Sequence, residues 1–297
     1  MKSLPLALLL ALAITVPAAA GQPVEDNETG VPWLTHILDR FEFLPEYHLT
    51  GDIYFLALYK NADYWRRYFV ENNADMELFL AGYSGRLYAS LGLYVRTTMG
   101  RQDGAIMFDP RELRYVIDPA LELRLEQMIL RAGLDHTCFH EIDSWDGSTE
   151  YWNKAYGSLA TKNCRPIEYR RRLINEGRWD AAARFAGEAR FGHYLKRAFG
   201  LMDPVAIGGN HDYDWELSGD GRCALFKRLD WVVNARSQAG LNLSRSGLLR
   251  HRYLFGFEGH FRRGGGGLML FVSYHLLDQM TVRPKDRLME IGVRFYN

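Results

Sequence analysis

The C-terminal third of the chain alternates apolar and polar residues with a period of two. Between Tyr253 and Phe261 the apolar positions lie on one face, while Glu258 and His260 fall on the other. The same alternation recurs over 268–276 and 289–296, and the run 262–267, with its four glycines, separates the first two segments. A period of two is typical of strands with one apolar face. The pattern therefore predicts three consecutive strands.

Similar alternation earlier in the chain sets the number of strands. It covers 49–59, 76–83, 86–99 and 120–126, and more weakly 129–140, 182–194, 213–217 and 229–240. Roughly ten to twelve strands of ~10 residues each would form one closed barrel. The segment 144–180, rich in Trp, Tyr, Asn and Arg, is predicted as one long polar loop with a short helix.

The first twenty residues have the character of a secretory signal. Lys2 precedes the apolar stretch 4–16, and Ala18 to Ala20 provide an Ala-x-Ala cleavage site before Gly21. Beyond them no apolar run approaches the ~18 residues of a membrane helix. We expect a signal peptide at 1–20, a periplasmic N-terminal arm at 21–47 and a β-barrel domain at 48–297.

The balance of charges and the predicted export signal limit the classes of protein to which the chain can belong. Lys and Arg total 36, as do Asp and Glu, so the formal net charge is zero and a nucleic-acid partner is not expected. Exported strands with one apolar and one charged face favour an antiparallel transmembrane β-barrel in the bacterial outer membrane over a soluble periplasmic barrel or sandwich. The expected partners are outer-membrane lipids and lipopolysaccharide, with a periplasmic or secreted protein as a further partner. No cofactor or metal is expected.

The densest cluster of reactive side chains is His136, Cys138, His140 and Asp143, our candidate catalytic residues. On a regular strand His136 and His140 share a face but lie ~13 Å apart, too far to bind one metal ion. His136 and Cys138 are two residues apart on that face, so a base and a thiol can meet. The alternative is a hydrogen-bonded network at the barrel rim, in which Cys138 is only a small residue.

This cluster resembles two families. The His136-x-Cys138 spacing is similar to the His-x-Ser arrangement of outer-membrane phospholipase A, with Cys in the nucleophile position. That resemblance implies an Asn that orients the His and a calcium site, and the sequence identifies neither. The segment 136–143 also resembles a His-x-Ser-Ser-His-Leu-Gly-Asp-Glu segment of uncharacterised outer-membrane barrels, which implies a barrel and no particular activity.

Other charged residues suggest different functions. Lumen-facing candidates that could set channel selectivity, or form salt bridges that fill a narrow barrel, are Glu122, Arg124, Glu126, Glu258 and Arg294. Arg170, Arg171 and Arg172 could bind an anion such as a lipopolysaccharide phosphate. The leading hypothesis from sequence is a narrow porin-like channel or a structural envelope protein. The alternative is an outer-membrane enzyme that hydrolyses or modifies lipid at His136 and Cys138.

Overall fold

The computed structural model describes residues 40–58, 70–100, 109–142, 149–195, 213–263, 266–280 and 285–297. The predicted signal peptide, residues 21–39 of the predicted arm and Asp143 lie outside these ranges. The strands in the described ranges are β1 (Phe41–Phe43), β2 (Tyr47–Leu58), β3 (Val70–Tyr83), β4 (Leu87–Gly100), β5 (Asp109–Arg124), β6 (Met128–Glu141), β7 (Thr149–Thr161), β8 (Phe185–Leu195), β9 (Tyr213–Arg228), β10 (Trp231–Ser244), β11 (Leu249–Arg263), β12 (Gly266–Asp278) and β13 (Leu288–Tyr296).

Strands β2 to β13 form a closed antiparallel barrel of twelve strands. Each pairs with its neighbours in the sequence, and β13 returns to pair with β2, from Leu288 opposite Leu58 to Tyr296 opposite Thr50. The extra strand β1 pairs with the end of β3. The predicted all-β antiparallel barrel is therefore confirmed, at the upper end of the expected strand number.

The two ends of the barrel differ in their connections. One end, here called the turn end, carries the tight turns after β3, β5 and β9 and the start of β2. At the first of these turns Ser84 and Gly85 have φ of 54° and 63°, the left-handed geometry of a two-residue hairpin turn. The opposite end, here called the loop end, is where β6 finishes and β7 begins.

Alternation along the strands places apolar side chains outside and polar side chains inside. On β12, Leu270, Val272 and Tyr274 are exposed, whereas Ser273 and His275, which alternate with them, are buried. This is the reverse of a soluble barrel and matches a wall that faces lipid. None of the helices in the described ranges is long and apolar enough to cross a membrane.

The predicted polar loop at 144–180 was wrong over much of its length, because β7 occupies 149–161. Its inward positions carry Lys154, Tyr156 and Ser158, and its outward positions carry Ala155 and Gly157, so neither face shows a strong apolar alternation. The period-two signal is therefore weak here although the strand pairs fully with β6.

The residues that follow β7 form a helical segment before β8, which we call the plug (residues 162–184). It contains α1 (Pro166–Arg170), a π-helical turn (Arg171–Asn175) and α2 (Ala181–Arg184), which is capped by Asp180. Tyr169 and Leu173 are fully buried in one cluster with Ala186, Ala224 and Val232. The plug thus packs against the inner wall at the turn end.

Candidate functional site

Three polar side chains meet on the outer wall near the loop end. Asp135, Thr137 and Phe139 of β6 point inward and are buried, so His136 and Cys138, which alternate with them, point outward. The register between β6 and β7 places Asn153 directly opposite His136. The structure therefore adds Asn153 to the predicted pair of His136 and Cys138.

The distances form a continuous hydrogen-bonded chain. His136 Nδ1 lies 2.7 Å from Asn153 Oδ1, and Cys138 Sγ lies 3.3 Å from His136 Nε2. Because an amide oxygen only accepts, Nδ1 carries the hydrogen, and Nε2 is left to accept the proton of the thiol. A nucleophile, a base and a residue that orients the base are the three components of a catalytic triad. We call these residues the outer triad.

The strand behind the outer triad is fixed from inside the barrel. Thr137 donates to Asp135 at 2.6 Å, and the ammonium group of Lys154 lies 3.5 Å from the same carboxylate. Lys154 follows Asn153 on β7, so this contact joins the two strands that carry the triad. The pairing limits sliding of one strand against the other, which would break the contact between Asn153 and His136.

Tyrosines flank the nucleophile on both sides. The register places Tyr115 of β5 and Tyr151 of β7 opposite Cys138. Tyr151 lies 6.3 Å from the His136 ring, and Tyr115 packs edge-on against His140 at 5.8 Å between ring centroids. Tyrosine at the end of an apolar barrel wall is typical of the membrane–water interface. The two tyrosines give this end of the outer wall the composition of such an interface.

His140 lies on the same outward face, two residues beyond Cys138, and is separated from the triad by that spacing of ~6.6 Å. The ring of His140 packs against the ring of Tyr115. In the described ranges no group of three or more His, Cys, Asp and Glu side chains could hold a metal ion.

Of the five lumen candidates, four lie inside the barrel in ion pairs. Glu122 is fully buried and pairs with Arg124 at 2.7 Å and with Arg165 of the plug at 2.5 Å. Glu258 and Arg294 are paired with strand residues in the same way, Glu258 with Arg222 at 2.9 Å and Arg294 with Asp52 at 2.6 Å.

The fifth lumen candidate, Glu126, was assigned to the wrong place. It is exposed in the turn between β5 and β6 and does not line the lumen. The alternation of Leu121, Leu123 and Leu125 suggests that the strand continues through this residue. The ladder ends at Arg124, because Leu125 and Met128 are joined by the hydrogen bond that closes the turn.

The predicted anion site at Arg170, Arg171 and Arg172 does not form. Arg170 is buried, donates to the carbonyl of Gly266 and lies over the ring of Tyr296. Arg171 is exposed and pairs with carboxylates of the plug, and Arg172 is buried. Successive residues of a helix point about 100° apart, so the three guanidinium groups cannot converge on one anion.

The plug restricts the lumen at the turn end. Arg165 reaches Glu77 of β3 at 3.0 Å as well as Glu122 of β5, and Tyr169 packs beside His260 of β11. Above these contacts the lumen contains two cavities of about 430 and 270 Å³ lined mainly by charged side chains. Cys164, Cys138 and Cys223 are all free thiols.

Sequence reasoning missed two residues, Asn153 and Arg165. Asn153 lies within the segment predicted as a loop, and its partnership with His136 depends on strand register, which the period-two pattern does not contain. Arg165 pairs with residues 88 and 43 positions earlier. A signal that could have pointed to Asn153 was the His-x-Cys motif itself, because a base beside a nucleophile needs a third residue to orient it.

The sequence matches no described protein family and no curated protein. Among solved structures, the fold is similar to outer membrane phospholipase A from Escherichia coli, with 12% identity, a TM-score of 0.49 and coverage of 84% of this chain and 90% of that chain. It is also similar to the KdgM porin (7% identity, TM-score 0.45, coverage 83% and 98%) and the NanC porin (11% identity, TM-score 0.44, coverage 84% and 97%).

Proposed function

We propose that this protein is an outer-membrane enzyme that cleaves acyl esters of membrane lipids, with Cys138 as nucleophile. The observation that supports this most strongly is the unbroken contact from Asn153 through His136 to Cys138 on the outer wall. The porin-like or structural role remains the second candidate. An outward-facing triad has no evident part in a channel, since solutes would pass through the lumen.

The chemistry follows from the arrangement of the three side chains. His136 Nε2 takes the proton of Cys138, and Sγ attacks the ester carbonyl carbon, forming a C–S bond. The ester C–O bond then breaks, and the leaving alkoxide receives the proton from His136. Water, deprotonated by His136, attacks the thioester, the C–S bond breaks, and the proton returns to Sγ as the fatty acid leaves.

Lipid is the substrate class that this location favours. The outer triad faces the bilayer beside Tyr115 and Tyr151, at the interfacial depth where the ester groups of lipids lie. A lipid can therefore reach Cys138 by lateral diffusion, without passing through the barrel. His140, on the same face, is in position to contact the headgroup side of the substrate. We expect the loop end to face the cell exterior, since tight turns are characteristic of the periplasmic side.

The proposal is tested with the full chain purified in detergent and given a phosphatidylcholine with a fluorogenic acyl chain, with calcium and with a chelator. Hydrolysis should be lost in Cys138→Ala and in His136→Ala. Cys223→Ala, which removes a half-buried thiol from β9, is the matched control and should keep wild-type activity. Hydrolysis that persists in Cys138→Ala would contradict the proposal. Recovery from an outer-membrane fraction, with a gel mobility that shifts on boiling, would test the location.

The channel candidate is supported by the two charged cavities inside the barrel. Its test is ion conductance in planar bilayers. Conductance altered by Glu258→Gln or Arg294→Ala, and unchanged by Cys138→Ala, would favour it. A barrel without conductance above the bilayer background would argue against it.

A further inference from the structure

A groove runs along the outer wall on the turn-end side of the outer triad. It has a volume of about 600 Å³ and crosses the outward faces of β4 to β9. Small residues, Ala132, Gly157 and Ala189, form its floor, and larger ones such as Leu121, Leu159 and Phe191 form its sides. We call it the outer groove. It opens directly to the space that lipid would fill.

The groove is continuous with the triad along β7. Asn153, Ala155 and Gly157 are successive outward residues of this strand, and β6 places His136, Leu134 and Ala132 opposite them. No bulky side chain on β7 separates Asn153 from the groove. Six residues separate Cys138 from Ala132, a distance of ~20 Å along the strand.

This distance fits the depth of one leaflet. Strands of membrane barrels tilt by about 40°, so ~20 Å along β6 corresponds to about 15 Å of depth. Half of the hydrocarbon core of a bilayer is also about 15 Å. An acyl chain attached to a carbonyl at Cys138 would therefore extend as far as the groove floor.

Gly157 is the residue that keeps the groove open. A Cβ built there would meet only the carbonyl oxygen of Arg131, at 3.9 Å, so neither packing nor backbone geometry requires glycine. Glycine within a strand weakens it and commonly marks a close approach of another molecule. The absence of a side chain at Gly157 leaves space beside the groove floor for an occupant.

We propose that the acyl chain of the lipid substrate lies in the outer groove and that Gly157 determines how long a chain is accepted. This inference rests on the proposed function, because it assigns the chain to the same ester that Cys138 attacks. The substrate class is then a long-chain glycerolipid or lipid A type ester rather than a short soluble ester.

The chain offers a matched control on the other side of the barrel. A second outer groove of about 850 Å³ lies at the turn end of β2, β12 and β13, strands that do not carry the triad. Gly51 faces it, and a Cβ there would meet only the carbonyl oxygen of Asn73, at 3.9 Å. Gly157→Leu and Gly51→Leu therefore add the same side chain to equally open positions.

The first experiment measures kcat/KM for p-nitrophenyl palmitate and p-nitrophenyl butyrate in detergent micelles. Gly157→Leu should lower the palmitate to butyrate ratio at least about tenfold, because the added side chain removes the space for the distal methylenes. Gly51→Leu should leave the ratio at the wild-type value. An unchanged ratio in Gly157→Leu, or an equal fall in both variants, would overturn the inference.

A second experiment does not depend on hydrolysis. Cys138→Ala is irradiated with a phosphatidylcholine that carries a diazirine at the end of one acyl chain, and the labelled peptides are identified by mass spectrometry. Labelling should concentrate on 132–134 and 155–159 and fall when Gly157→Leu is added. If the labelling follows this pattern while the wild type hydrolyses no ester, the proposed function fails and the assignment of an acyl chain to the outer groove stands. Equal labelling of both outer grooves would refute the assignment whatever the hydrolysis shows.

Discussion

Replacing Asn153 with alanine should reduce activity without removing the nucleophile or the base. Asn153 contributes one hydrogen bond, at 2.7 Å, to Nδ1 of His136. A neutral hydrogen bond of this kind contributes about 1 kcal/mol, less than a factor of ten in rate. Its loss also frees the ring to rotate away from Cys138 and to adopt the tautomer with the hydrogen on Nε2. At metal sites, removal of a residue that orients a ligating His typically costs about 10–100-fold, and we expect a loss of the same order in kcat/KM here.

The assay compares Asn153→Ala with wild type and Cys138→Ala on the same fluorogenic phospholipid, with gel mobility before and after boiling as the test of folding. Tyr151→Phe, which keeps the neighbouring ring and removes only its hydroxyl, is the matched control and should stay close to wild type. If Asn153→Ala matches wild type while Cys138→Ala is inactive, Asn153 does not orient His136. If folded Asn153→Ala has no more activity than Cys138→Ala, its role exceeds orientation and our reasoning is also wrong.

Three further outcomes are expected. Partial burial raises the pKa of Cys164 to about 11, so at pH 8 this thiol should react with a maleimide far more slowly than a free cysteine, and rapid labelling would contradict the raised pKa. Arg165→Ala leaves Glu77 and Glu122 without their plug partner, so the unfolding free energy should fall by about 3 kcal/mol. The temperature at which the gel mobility shifts should then fall by several degrees. Arg171→Ala, which removes an exposed ion pair, should leave that temperature unchanged. Burial raises the pKa of Glu46, but hydrogen bonds from His48 and Arg124 outweigh it and lower the pKa to about 2. The wild type should therefore be more heat-stable than Glu46→Gln above pH ~4.5, and this difference should disappear as the pH falls towards 2. A difference that does not change with pH would refute the prediction.

The sequence predicted the barrel well because its walls have one lipid-facing and one polar side. The alternation at 268–276 fixes which residues of β12 face outward, and the same rule placed His136 and Cys138 on one face. It failed for β7, where both faces carry small or polar residues and the alternation disappears. Asn153 can be identified as the partner of His136 only when β7 is known to be a strand paired with β6. The third residue of the outer triad therefore could not be predicted from the sequence.

Contacts that join distant parts of the chain were also beyond the sequence pattern. Arg165 was not distinguished from other charges in a polar region, because its partners Glu77 and Glu122 come from strands far earlier in the chain. Arg170, Arg171 and Arg172 are adjacent in sequence, and the sequence pattern therefore suggests a single cluster. In a helix, side chains that are adjacent in sequence point in different directions, so the three arginines of the plug do not form a group.

The closure of β13 on β2 has a consequence for how the protein assembles. The contact between Arg294 and Asp52 spans 242 residues, so one of the first strands to be synthesised must wait for the last. Until they meet, both expose a row of unpaired backbone groups that can pair with any other chain. Such long-range pairing is intrinsically slow. Aggregation is therefore most favoured before the barrel closes. A chaperone that covers the two open edges would be needed mainly during that interval.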